Sequence, residues 1–120
     1  MQVDELIVFP NYPVWTVIHA FSASQFGVEH AIYRIPGPKG PSFIVFKDIQ
    51  LANAFISGLD DPSAFKTHSI HSASDLVNMA DFLRTAGYKH AVINFSHEST
   101  ERRYYDIDEF IRLGTPQPKQ

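Results

Sequence analysis

The chain is 120 residues long, 44% AVILMFWYC and 19% charged, which is the composition of a folded domain and not of a disordered segment. Ten basic against thirteen acidic residues leave a formal charge of -3, so no positive field exists to draw in nucleic acid or an acidic lipid surface. The absence of cysteine excludes disulfides, thiolate nucleophiles, iron-sulfur clusters and cysteine-based zinc sites.

No Asp, Glu, Lys or Arg occurs from Leu6 to Val28, but Pro10, Asn11, Pro13, His19, Ser22, Ser24 and Gln25 interrupt that window, so it is not expected to span a membrane. The acidic start Met1 to Glu5 lacks the positive charge of a secretory signal, and the cytoplasm is the expected compartment. Glu5 to Phe9 and Val14 to Phe21 are rich in Val, Ile, Phe and Trp and read as two strands broken by Pro10 to Pro13. Ser22 to Gly27 reads as a polar link, and Glu29 to Ile35 alternates as a half-buried strand does. Three prolines and two glycines make Pro36 to Pro41 a loop. The apolar run Phe43 to Phe46 suits a strand covered on both faces.

Three helices follow. Asp48 caps the first, which carries Leu51, Ala52, Phe55 and Ile56 and meets a left-handed stop at Gly58. The second starts at Ser72 or Ser74, places Leu76, Met79, Ala80 and Leu83 on one stripe, and stops at Gly87. The third begins with the capping-box-like Asp106 to Glu109, carries Phe110 and Ile111, and ends at Gly114. Phe65 to Ile70 and His90 to Phe95 read as strands between them, with Arg102 to Tyr105 as an antiparallel return. The expected fold is a single α+β domain over residues 1–113, with a mixed β-sheet of central parallel strands and antiparallel flanks covered by about three short helices. Residues 114–120 form a flexible tail.

The stretch from Ala31 to Leu113 resembles the small domain of bacterial enhanced-serine-sensitivity (SseB-type) proteins. The resemblance lies in the strand and Asp-capped helix of Phe43 to Phe55, the Ser74-Asp75-Leu76 helix start, Ala86-Gly87 followed by Val92-Ile93-Asn94, and the short final helix. Phe95 stands where such domains usually carry proline. The resemblance implies a non-enzymatic module linked to secretion or regulation.

If the strands at Phe43, Phe65 and His90 are parallel neighbours, their carboxyl ends form one rim, where open α/β sheets bind ligands. That rim gathers Lys47, His71, Ser72, Ser74, Ser96 and His97 with Glu98, and offers an anion the countercharge of Lys47 and the N-terminus of a helix. Capping alone also accounts for Ser72 and Ser74. His68 and His71 straddle a strand end and point to opposite faces, so no metal and no cofactor are expected, even with His97 and Glu98 near. Ser96, His97 and Glu98 are adjacent and cannot align as a catalytic triad, so no catalytic residue is assigned.

Tyr12, Trp15, Phe21 and Phe26 fall in the charge-free stretch and form a candidate interface, with a homodimer as the expected partner arrangement. The leading functional expectation is therefore a non-enzymatic binding module engaging a protein partner or itself, with no nucleic acid and no membrane. The alternative is a small-ligand, anion-binding or hydrolytic protein working around His71, Ser74 and His97.

Overall fold

A computed structural model describes residues 12–94 and 104–114. The expected strand at Glu5 to Phe9, the arginines of the Arg102 to Tyr105 return and the tail after Gly114 lie outside the described residues. Six strands and four α-helices are seen among those described. They run β1 (Val14–His19), α1 (Ala20–Phe26), β2 (Ile35–Pro36), β3 (Pro41–Val45), α2 (Ile49–Ser57), β4 (Phe65–Ile70), α3 (Ala73–Thr85), β5 (His90–Ile93), β6 (Tyr105–Asp106) and α4 (Ile107–Gly114). The fold is α+β, built on a four-stranded mixed sheet of order β2-β3-β5-β6. β3 and β5 are parallel, and β2 and β6 flank them antiparallel.

The helix ends follow their local chemistry. Asp48 accepts a 2.8 Å hydrogen bond from the Gln50 amide and starts α2. Ser72, rather than Ser74, starts α3 by accepting from the Asp75 amide at 3.1 Å. Gly87 has φ of +105° and ends it as expected, whereas Gly58 stops α2 at φ -89° with no left-handed turn. Leu51, one position before the stripe of Ala52, Phe55 and Ile56, points out and is 44% exposed.

The apolar run of β3 is buried on both faces, as its continuity predicts. Phe43 and Val45 join Ala91, Tyr105, the stripe Leu76, Met79, Ala80 and Leu83 of α3, and Ile107 and Phe110 of α4. Ile44 and Phe46 face the other way, with Val92 and the buried residues of α2. At the end of the parallel pair, Asn94 takes φ of +57° and its side chain accepts a 3.0 Å bond from the Lys47 amide. The chain thus leaves the parallel pair through an asparagine in the left-handed region.

Three expectations need correction. β4 is not a parallel neighbour of β3 or β5; it pairs antiparallel with β1 in a separate two-stranded sheet. β1 stands between, tied to the main sheet by reciprocal bonds between Trp15 and Phe46 of 2.8 and 2.7 Å. Ser22 to Gly27 is mostly helix, because the His19 ring caps α1 by accepting from the Ser22 amide at 3.3 Å. Histidine is not among the usual capping residues, so the sequence carries no warning of it. Finally, Glu29 to Ile35 opens as a 3-10 turn (Val28–His30), and Ala31 to Tyr33 then lie along β1 through bonds from His19 N–H to Ala31 and from Tyr33 N–H to Val17.

At the opposite end of the sheet, Ser42, His90 and Asp106 are cross-strand partners on β3, β5 and β6. These are the residue types of a charge relay, but Ser42 is 0% and His90 3% exposed, so no substrate reaches the hydroxyl. His90 Nε2 stands 3.7 Å from Asp106 Oδ1. Gly37 lies over the row: a Cβ there would come within 2.3 Å of Ser42 Oγ and 2.8 Å of the Gly40 carbonyl oxygen. Gly37→Ala is therefore expected to destabilise the fold by about 1–3 kcal/mol through overpacking, read as a lowered urea midpoint at unchanged slope.

Candidate functional site

A concavity lies beside β4, whose position is set by the hydrogen-bond parity of β1. Trp15 directs both its backbone groups at Phe46, while the Val17 carbonyl and the His19 amide are engaged by Tyr33 and Ala31. The intervening residues Val14, Thr16 and Ile18 must then face β4, because successive backbone groups of a strand point to opposite sides. Their register partners are Ile70, His68 and Lys66. Thr67 and Ser69 consequently present their amides and carbonyls outward, and no described strand pairs with that edge.

Beside the end of β4 runs a second stripe of α3. Asp75, Asn78, Met79 and Phe82 recur at the spacing that places side chains on one helical face, and together with His68 to His71 and with Val28 and Glu29 they line a groove of about 750 Å³. That size is typical of ligand-binding concavities. Ile70 and Met79 are buried, Val28 and Phe82 half-buried, so the floor is apolar. Phe82 is held edge-on to His30, ring centroids 5.3 Å apart.

The polar groups are set along the walls. Ser69 Oγ and His71 Nε2 share a 2.8 Å hydrogen bond. Burial lowers the His68 pKa below the ordinary imidazole value, assisted by repulsion from His71 and Lys66 and opposed by Glu29 and Asp75. His68 is accordingly neutral near pH 7. The lining contains the carboxylates of Glu29 and Asp75 and no Lys or Arg. Among the described residues, no group of three or more His, Asp or Glu converges as a metal site.

The residues singled out from sequence are dispersed. His71 lines the groove, whereas Ser72 is occupied as the α3 cap and Ser74 is exposed outside the lining. Lys47 sits at the end of β3, its amide bonded to Asn94, and is not part of the groove either. Ser96, His97 and Glu98 lie outside the described residues. Of the candidate interface, Tyr12 and Trp15 are half-buried against the two cores, while Phe21 and Phe26 of α1 are 64% and 68% exposed.

Sequence reasoning passed over Ser69, Asn78 and Phe82, and weighed His68 only as a metal ligand. The signal was present in the Asp75, Asn78, Met79, Phe82 spacing, which is a second stripe beside the core one. No described helix is long and apolar enough to cross a membrane. No family model matches the chain, and no curated protein does.

Proposed function

We propose that the chain is a non-enzymatic binding module that holds a segment of a protein partner in the groove between β4 and α3. One observation carries this reading: His68 to His71 at the end of β4 and a second stripe of α3 line one groove of about 750 Å³ with an apolar floor. Apolar side chains of Val28, Ile70, Met79 and Phe82 supply area for affinity, and the histidines and carboxylates supply orientation. A free anion finds no Lys or Arg in the lining, which favours a peptide over the anion alternative.

Asn78 is exposed on α3 and lines the groove, so Asn78→Trp fills the space without disturbing the core. Selection of a random dodecapeptide display library on the immobilised protein should enrich binders on the wild type. Those binders should lose at least about tenfold in affinity on Asn78→Trp, equivalent to about 1.4 kcal/mol. Failure to enrich any peptide, or equal affinity for the variant, overturns the reading.

A second reading, self-association, is favoured by α1. A seven-residue helix is too short to hold itself in water, none of its residues is buried, and it presents two exposed phenylalanines. We propose that a second copy covers Phe21 and Phe26 in a symmetric pair. Sedimentation equilibrium should show a dimer that Phe21→Ser with Phe26→Ser converts to monomer; a wild-type monomer at millimolar concentration sinks this second reading.

A further inference from the structure

We infer that two copies of this chain meet along β4, whose free edge pairs antiparallel with the same edge of a second copy about a two-fold axis at His68. This rests on the self-association reading above and places its axis. In a ladder of that register, Thr67 of each copy stands opposite Ser69 of the other, and these are the positions whose amides and carbonyls point away from β1. Each therefore both donates to and accepts from the residue it faces. The edge is thus self-complementary, as a two-fold interface requires, and the product is one continuous sheet of order β1-β4-β4-β1. The exposed helix lies within reach of the same copy. α1 leaves β1 at His19, the register partner of Phe65, and Phe65 falls opposite His71 of the second copy, so Phe21 and Phe26 start one strand away from it.

The side chains favour a copy of this chain as the occupant. Val14, Ile18 and Ile70 pack with the core stripe of α3, while Val17, Trp15 and Phe65 belong to the α2 core. Lys66, His68 and Ile70 therefore turn to the α3 side of the sheet, and in the pair both copies place them on that one side. Lys66, which is exposed, falls opposite Ile70 of the second copy, at the strand end after which α3 begins with the carboxylate of Asp75 in its first turn. Its charge thus approaches an opposite one and lies about 14 Å along the ladder from its own equivalent. His68 is the residue of β4 that must face its own equivalent, at about 4.5 Å between Cα atoms. Burial, assisted by His71 and Lys66, prevails over the carboxylates of Glu29 and Asp75 and lowers its pKa, so the facing rings are neutral near pH 7 and do not repel.

The test uses the full chain, in which the lack of cysteine lets a single introduced thiol report the axis. Sedimentation equilibrium should show a dimer in which exchange at the Thr67 and Ser69 amides is at least about tenfold slower than in dilute, monomeric protein. His68→Cys should form a disulfide-linked dimer in oxidised glutathione, because the facing Cα atoms lie within the span of a disulfide; Lys66→Cys, about 14 Å from its equivalent, should not. Ser69→Pro removes an outward amide and should weaken dimerisation at least about tenfold while the far-ultraviolet circular dichroism is unchanged. A dimer with neither the protection nor the His68→Cys link overturns the edge and leaves self-association through α1 standing, as does a Ser69→Pro dimer of wild-type affinity. Protection without that link, or equal linking of the two cysteine variants, overturns the axis. Protection that persists in the monomer overturns the second copy as occupant and assigns the edge to another part of this chain. A wild-type monomer at millimolar concentration sinks self-association itself, and the inference with it.

Discussion

Proline at His68 should destabilise the protein by about 3 kcal/mol or more, whereas proline at Ser69, the next residue, should cost about 1 kcal/mol or less. The contrast comes from the ladder. His68 is the register partner of Thr16, whose backbone faces β4 because its neighbours Trp15 and Val17 are engaged on the other side. Its amide is committed to β1, and a pyrrolidine ring there would open the two-stranded sheet. Ser69 pairs opposite Trp15 in the register, with its own amide directed away from β1. Proline is tolerated in an edge strand when the lost N–H faced solvent. Chemical denaturation of the two variants reads the difference directly. Equal costs, or the reverse order, would show that the parity is wrong and that the open edge belongs to Lys66, His68 and Ile70 instead.

Truncating Phe43 should have the largest effect of any single core substitution. Its side chain is 0% exposed, and its ring stands edge-on to Phe110 at 5.5 Å and 89°, with Tyr88 at 6.3 Å. Phe43→Ala removes that area and leaves a cavity between β3 and α4, costing about 3–5 kcal/mol. Since domains of this kind are stable by about 5–15 kcal/mol in total, the variant should be close to unfolding at 37 °C. Phe43→Leu, which keeps most of the volume, should fold and permit a double-mutant cycle with Phe110→Leu. A coupling of about 0.5–1.5 kcal/mol is expected from the ring pair. Additive costs would mean that α4 does not dock on this face of the sheet.

Much of the fold was legible because its signals are local. Asp48 and Ser72 mark helix starts through side-chain oxygens that meet the first free amides, and the stripe from Leu76 to Leu83 names the buried face of α3 before any neighbour is known. The run Phe43 to Phe46 likewise announces a strand with two covered faces. Less of the site was legible. His71 reaches the groove, but Lys47 and Ser74 do not line it. Their proposed meeting at one rim required β4 to lie beside β3, and β1 occupies that place.

The division between the two kinds of information has a physical basis. Periodicity, capping oxygens and glycine conformations act within a few residues, so the amino-acid order by itself determined where α2, α3 and β3 lie and which of their faces are apolar. Ladder partners are chosen at a distance. The backbone groups of β4 would be met equally well by β3, β5 or β1, and nothing within Phe65 to Ile70 distinguishes among them. Only the tertiary structure decided that β1 takes one edge of β4 and that His68 to His71 share a groove with a second stripe of α3.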